Sequence, residues 1–277
     1  MSVSIPAEHP AMYRGFPSLL REWRQKRRLS QLDLALSSGV SQRHVSFLES
    51  GRANPSRNMI LQLSETLDVP LRERNAWLTA AGFAPLFHAR PLDDPQMGQV
   101  MSAVRMMLAA HEPFPAIALD RAWNVRMSNG SFDRLSDMLG EDIWERVGGG
   151  PRNLMRLFFH PAGIRPLVTN WAAVGPLIWR RAQREAKVLG GQEMKAVLAD
   201  LAPYQDADIL WSAADTALAP VIPFNLRVGD QAISMFAIIA TLGTAQDVTA
   251  EELLIETLFP ADPQSEALFR GMAAAAR

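Results

Sequence analysis

Between residues 16 and 82, apolar residues recur at every third or fourth position, and short polar or glycine-containing breaks interrupt the pattern. This spacing is typical of amphipathic helices. The first helix carries the apolar stripe Leu19, Leu20 and Trp23. Four more are predicted over residues 31–38, 42–50, 57–67 and 72–81. Five short helices with tight connections predict a compact all-α domain.

The breaks between these helices carry residues that suit helix ends. Ser30 and Ser41 stand directly before the second and third helices, where a hydroxyl can accept a hydrogen bond from the first turn. Gly39 and Gly51 follow the same two helices, where a left-handed residue is commonly needed. Ser56 is placed to cap the fourth helix in the same way. The boundaries therefore rest on local chemistry as well as on periodicity.

The pattern changes beyond a proline-containing linker, and we place a domain boundary near residue 90. Strands are predicted over residues 116–120, 123–128, 221–228, 233–242 and 253–259. Helices are predicted over residues 96–110, 132–139, 170–189, 194–201 and 263–276. Because strands and helices do not alternate regularly, the pattern favours an α+β domain over a doubly wound sheet. The expected organisation is a helical domain over residues 1–90, with its core at 16–82, and an α+β domain over 91–277.

Composition narrows the function classes. The chain has 277 residues and no cysteine, which excludes disulfides, thiolate metal sites and cysteine nucleophiles. Residues 1–14 lack the apolar run of a signal peptide. The longest apolar stretch, Ile233–Leu242, is too short for a membrane-spanning helix. A cytoplasmic protein without a membrane partner is expected.

The net charge of −1 is unevenly distributed along the chain. Residues 1–88 contain 11 Lys and Arg against 7 Asp and Glu, while the remainder contains 17 against 22. A basic front half suggests a polyanionic partner for that half only. No nucleotide-binding loop, hydrolase elbow or zinc-binding helix motif is present, so no catalytic or metal-binding residue is predicted.

The segment Leu29–Arg52 combines two short helices with a sharp turn at Gly39 and a small residue, Ala35, where the helices would cross. The start of the second helix is then free to enter a major groove. There Gln42 can pair with adenine and Arg43 with guanine, and Phe47 can touch a thymine methyl. Gln31 can bond a phosphate. The candidates for DNA contact are Gln31, Ser41, Gln42, Arg43, His44, Ser46, Phe47, Arg52 and Arg57.

This segment resembles the helix-turn-helix of the phage-repressor, or XRE, family. The resemblance covers residues 16–82 and rests on Gln31, Ala35, Gly39, the run from Leu48 to Arg52, and Pro55. It implies sequence-specific binding to double-stranded DNA, expected here as a homodimer. It also implies an ion pair between Arg24 of the first helix and Glu49.

Residues 95–270 resemble the ligand-binding domain of MmyB-like regulators. The resemblance rests on Trp123–Asn124, on Asn153, Leu154, Arg156 and Leu157, and on Asn170–Trp171. It implies a PAS-like fold and a cavity for a fatty acid or a similar apolar ligand, with no other cofactor. The function it implies is a transcription regulator controlled by that ligand.

Large apolar side chains in the second domain could line a ligand cavity, for which about 300–1,000 Å³ is usual. They could equally be an ordinary packed core. A carboxylate ligand would favour Arg165, His160 or Asn170 at the mouth. The ligand candidates are Trp123, Met127, Phe132, Phe158, Phe159, Arg165, Asn170, Trp171, Phe224 and Phe236.

Two other functions stay open. In one, the chain is a DNA-tethered enzyme acting on an acyl substrate, which a buried catalytic dyad in the second domain would favour. In the other, the second domain only dimerises, which a closely packed core would favour.

Overall fold

The computed structural model describes residues 15–148, 150–188, 192–204 and 220–275. The chain divides into two compact units. One contains the described residues up to Ala89 together with Gln246–Val248, and the other contains Arg90–Ala245 and the residues from Thr249 onward. The segment before residue 15, whose composition argues against a signal peptide, lies outside the described residues.

The first unit has the five predicted helices, each within one residue of its predicted bounds where bounds were given. They are α1 (Phe16–Lys26), α2 (Gln31–Ser38), α3 (Gln42–Glu49), α4 (Arg57–Thr66) and α5 (Leu71–Ala80). Their inner faces form one core that includes Leu34, Val45 and Leu48, all fully buried. The all-α prediction for this region is confirmed.

Local side-chain chemistry sets these helix boundaries. The Ser30 hydroxyl accepts from the Asp33 amide while the Asp33 carboxylate accepts from the Ser30 amide, forming a capping box at α2. Ser41 accepts from the His44 amide at the start of α3. Gly39 ends α2 with φ of +69°, a left-handed conformation that costs glycine little. The turn between α2 and α3 is therefore fixed by residues that the sequence makes visible.

The second unit contains helices and strands, as predicted. Its helices are α6 (Gly98–Ala110), α7 (Gly130–Leu139), α8 (Ile143–Arg146), α9 (Leu154–Phe159), α10 (Trp171–Val188), α11 (Gln192–Leu201), α12 (Val248–Glu251) and α13 (Pro263–Ala275). The bounds of α12 begin in the short segment that groups with the first unit. The last residues of two predicted helices, Leu189 and Ala276, lie outside the described residues. The short helices α8, α9 and α12 were not predicted, because one or two turns give too few positions to show a period.

The strands are β1 (Ala116–Leu119), β2 (Val125–Ser128), β3 (Phe224–Val228), β4 (Gln231–Thr241) and β5 (Leu254–Pro260). They form one antiparallel sheet in the order β2-β1-β5-β4-β3 among the described residues. The first and last strands in chain order are therefore neighbours inside the sheet, where β1 pairs with β5. An antiparallel sheet with helices confirms the predicted α+β class.

Strand β1, which lies between β2 and β5, is buried on both faces. Ala116 and Ala118 pack with Val104 and Leu108 of α6 on one face. Ile117 and the other alternate residues point to the opposite face, into a larger core shared with α7, α9, α10, α11 and α13. The alternation places every second residue of the sheet toward that helical layer.

Candidate DNA-binding helix and ligand cavity

Helix α3 presents a polar start and an apolar rear. Gln42 and Arg43 are exposed in its first turn, immediately after the capping residue Ser41. Val45 and Leu48 are fully buried in the core of the first unit. Because one face of α3 is held in the core, its first turn is exposed and can contact a partner. A helix that enters a major groove requires this geometry.

Phe47 lies one turn after Arg43 and is half-buried. The Arg43 guanidinium carbon lies 5.2 Å from the centre of the Phe47 ring, within the range of a cation–π contact. The contact favours an extended position for the Arg43 side chain along the helix. His44 and Ser46 are half-buried, while Arg52 and Arg57 are exposed beyond the end of α3 and at the start of α4.

Glu49 joins three helices. Its carboxylate accepts hydrogen bonds from Arg24 Nε at 2.6 Å and from Arg24 Nη2 at 2.9 Å, a bidentate arrangement. It also accepts from Gln31 Nε2 at 2.9 Å. Arg21 donates to the Glu49 carbonyl oxygen at 3.0 Å. The predicted Arg24–Glu49 ion pair is confirmed, and it ties α1 and α2 to the end of α3.

Burial favours a higher pKa for Glu49, since its side chain is 1% exposed. The hydrogen bonds from Arg24 and Gln31, together with the charges of Arg24 and Arg21, outweigh this effect and hold the pKa of Glu49 below its usual value. The Glu49 hydrogen bond raises the pKa of Arg24. Gln31, predicted to bond a phosphate, donates one of its two amide N–H groups to Glu49, which leaves the other for a phosphate. The sequence did not show this use, because the partner lies 18 residues away.

The second unit contains a partly open cavity of about 200 Å³ between its sheet and the helical layer. Its described lining is mostly apolar and comes from β1, β3, β4, β5, α7, α9 and α10. Five of the predicted ligand residues are part of this lining: Trp123, Phe132, Phe158, Phe224 and Phe236. The volume is below the 300–1,000 Å³ expected from the sequence, because aromatic side chains such as Trp123 and Phe132 fill part of the space.

The other five predicted ligand residues are not among the described lining residues of the cavity. Met127 pairs with Ala118, and both face α6 on the opposite side of the sheet. Phe159 is packed between the ring edges of Trp171 and Trp179, at centroid distances of 5.1 and 5.0 Å. These aromatic residues are core packing residues, the other interpretation that the sequence left open.

Arg165 and Asn170 have structural partners. Arg165 donates to the Tyr204 carbonyl and lies 5.3 Å from the Trp171 ring centre. Asn170 donates to the Pro223 carbonyl at 2.7 Å and accepts from the Asn225 amide at 3.1 Å. Asn170 thus joins the start of α10 to β3, and neither side chain is at the cavity wall. His160, the third such candidate, accepts from the Ala162 amide in a turn.

The cavity has a polar section formed by Arg181 and Glu256. Arg181 Nε donates to Glu185 at 2.8 Å, and the Arg181 guanidinium lies 4.5 Å from the Trp123 ring centre. Trp123 Nε1 donates to the other Glu185 oxygen at 2.7 Å. Glu256 is buried in the middle of β5, and its Oε2 lies 3.7 Å from Arg181 Nη1.

The two units match two known families. Residues 20–74 match a helix-turn-helix family, and residues 100–271 match the MmyB-like transcription regulator ligand binding domain. The second match covers more than half of the chain. This chain belongs to the MmyB-like transcription regulators. No curated protein matches the chain.

The two family matches together indicate the general function of this MmyB-like regulator. It is a DNA-binding transcription regulator with a small-molecule ligand-binding domain, a class that usually has no enzymatic activity. In the part of the chain that the structure describes, no helix has the length and hydropathy needed to cross a membrane.

No prediction from the sequence included Arg181, Glu185 or Glu256 of this MmyB-like regulator. A signal for each was available. Arg181 and Glu185 stand four residues apart on a predicted helix, a spacing that allows an ion pair. Glu256 is an acidic residue within the apolar strand Leu254–Pro260. A carboxylate in a buried strand needs a partner, and it therefore marks a candidate polar site.

Proposed function

We propose that the regulator binds a small acyl-type molecule in the cavity, and that this molecule changes DNA binding by the helical unit. The observation that carries the proposal is the apolar cavity itself, since close-packed interiors leave few voids larger than a water molecule. An empty apolar cavity is destabilising by roughly 24 cal/mol per Å³. A bound ligand would offset that cost.

The proposed regulator is a homodimer that binds two half-sites through helix α3 of each subunit. Sites of this kind are spaced by one helical turn of DNA, about 34 Å, or by multiples of it. The ligand can shift DNA binding only by binding the competent and incompetent states unequally. A PAS-like assignment for the second unit is supported by its single five-stranded antiparallel sheet with a cavity beneath a helical layer.

The cavity favours this proposal over a domain that only dimerises, for which we expected a closely packed core. It also limits the ligand's size. An engineered cavity of about 150 Å³ in another protein holds benzene, so by proportion 200 Å³ accommodates about eight carbon atoms. The proposed ligand therefore has a medium-length chain, shorter than that of common membrane fatty acids.

A series of straight-chain alcohols from hexanol to tetradecanol tests ligand binding. Each added methylene should tighten binding roughly fourfold, as expected for about 0.8 kcal/mol per buried CH₂, until the cavity is filled near octanol. Longer alcohols should gain little more. Bound ligand should also raise the melting temperature of the full chain by linkage. Calorimetric titration and thermal unfolding measure both effects.

The substitution Ala237→Phe tests whether octanol binds in the cavity. Ala237 lines the cavity and is exposed, so a larger side chain there should obstruct the space without disturbing the core. Octanol affinity should fall at least about tenfold, as for a contact worth more than 1.4 kcal/mol. The matched control is Ile238→Phe, on the next residue, which is exposed and not a lining residue. Equal binding by the two variants would contradict the assignment of the cavity.

Gln42→Ala tests base recognition by α3. Loss of the contact between the Gln42 side chain and a base should weaken binding to the preferred DNA site by about 1–3 kcal/mol. It should also relax the sequence preference at one base pair. Arg57→Ala is the comparison, since an exposed arginine that contacts phosphate should weaken binding to all sequences and reduce the salt dependence. Binding-site selection and titrations at several salt concentrations separate the two. A uniform loss for Gln42→Ala would contradict base recognition.

A further inference from the structure

The polar section of the cavity contains two hydrogen-bonding atoms without partners. Arg181 Nη2 and Glu256 Oε2 are both buried, and neither has a hydrogen-bond partner in the described structure. The nearest approach between the two side chains, 3.7 Å, is too long for a direct hydrogen bond. Buried polar atoms are nearly always hydrogen-bonded, so a donor and an acceptor unmet at one cavity wall indicate a missing group.

The charges around Arg181 restrict what that group can be. Glu185 already accepts from Arg181 Nε at 2.8 Å, so the positive charge of Arg181 has a near partner. Glu256 faces the same guanidinium from β5. An anionic ligand would place a third carboxylate around one guanidinium in a largely buried site. Burying an ion without its own partner is far more costly than burying a hydrogen-bonded neutral group.

We propose that the ligand's head group binds between Arg181 and Glu256, is uncharged, and carries a hydrogen-bond acceptor beside a donor. The simplest group with these properties is an acyl amide, whose carbonyl accepts from Arg181 and whose N–H donates to Glu256. This inference rests on the proposed function, because it assumes that the cavity holds a ligand. It narrows the ligand class from any acyl compound to acyl amides.

The state of Glu256 supports an uncharged head group. Burial raises the pKa of Glu256 above its usual value, and the charge of Arg181 only partly opposes this. The environment thus already disfavours negative charge at the position where a ligand carboxylate would have to bind.

Three compounds that share one octanoyl group test which head group binds best at neutral pH. Octanamide has both an acceptor and a donor, methyl octanoate has only acceptors, and octanoate is charged. We expect octanamide to bind the full chain roughly three- to tenfold more tightly than methyl octanoate, the value of one hydrogen bond. Octanoate should bind at least about tenfold more weakly than octanamide, because its charge must be desolvated.

Variants at Glu256 test whether the preference for octanamide over methyl octanoate comes from the polar section of the cavity. Glu256→Leu replaces the acceptor with an apolar side chain of similar size. The preference for octanamide over methyl octanoate should then fall to about twofold or less. Glu256→Gln keeps an acceptor oxygen and should retain the preference. The ratio of the two affinities is the readout, which a general loss of stability would not change. Melting temperatures check that both variants fold.

The outcomes distinguish this inference from the proposed function. If no octyl compound and no alcohol binds, the proposal of a cavity ligand fails. If octanoate binds as tightly as octanamide, the cavity ligand stands and the uncharged head group is wrong. If Glu256→Leu keeps the full preference for octanamide, the assignment to Glu256 is wrong.

Discussion

Arg24→Met is expected to lower the free energy of unfolding of the helical unit by about 3–5 kcal/mol, the usual cost of removing one partner from a buried ion pair. Methionine keeps much of the aliphatic packing of Arg24, so the loss reports the ion pair together with the hydrogen bond that Arg24 Nη1 donates to the Leu29 carbonyl at 2.7 Å. The variant leaves the Glu49 carboxylate, 1% exposed, with Gln31 and the more distant Arg21. Peptide-level hydrogen exchange over residues 16–80 measures this unit within the full chain.

The double variant Arg24→Met, Glu49→Leu is the matched test of the same pair. Replacing both charges by apolar residues is often close to neutral, so the double variant should recover most of the lost stability. Lys26→Ala is the control for a more exposed pair. It removes the ion pair between Lys26 and Glu22 on α1, at 3.1 Å, and should cost no more than about 1 kcal/mol. A double variant as unstable as Arg24→Met alone would contradict the account.

The same ion pair should make stability depend on pH. The folded pKa of Glu49 lies below its ordinary value of 4.5, so the folded state favours the charged form. Its contribution is then fully present above about pH 4.5 and is lost as the pH falls through the lower folded pKa. Acid should therefore remove the advantage of the wild type over Arg24→Met, and unfolding measured from pH 7 to 3 checks this.

The helical unit could be predicted from sequence because its boundaries depend on neighbouring residues. Ser30, Ser41 and Gly39 act within one turn of their own positions, and the structure shows each in the predicted role. The Arg24–Glu49 pair spans 25 residues, yet it was also predicted, because the family resemblance supplied the pairing. Gln31 shows the limit, since no local rule reveals that its amide also donates to Glu49.

The ligand cavity was less predictable because it depends on which face of each element looks inward. Met127 and Trp123 are both large apolar residues four positions apart. Met127 lies in β2 and packs against α6, whereas Trp123 precedes β2 in a turn with φ of +65° and lines the cavity. Composition could not separate them. The polar wall needed tertiary information as well, since Arg181 and Glu256 meet only after α10 packs across β5.

Gly163→Ala is expected to destabilise the second unit by about 3 kcal/mol or more, as for an overpacked site that cannot relax. A Cβ at this position would lie 2.2 Å from the Leu157 carbonyl oxygen and 3.1 Å from that of His160. Both oxygens are backbone atoms engaged in hydrogen bonds, since Leu157 accepts from the Ile164 amide and His160 from the Gly163 amide, each at 2.9 Å. The turn therefore cannot give way without losing these bonds.

The change should also weaken ligand binding, because Leu157 and Ile164 both line the cavity and would move with the turn. Gly271→Ala provides the matched control. A Cβ there meets nothing within 4 Å, and the residue lies inside helix α13, so this change should stabilise the chain by about 0.5–1 kcal/mol. Urea unfolding and octanol titration of the two variants give the comparison. Gly163→Ala with wild-type stability and wild-type octanol affinity would show that the turn after α9 does not have this close approach.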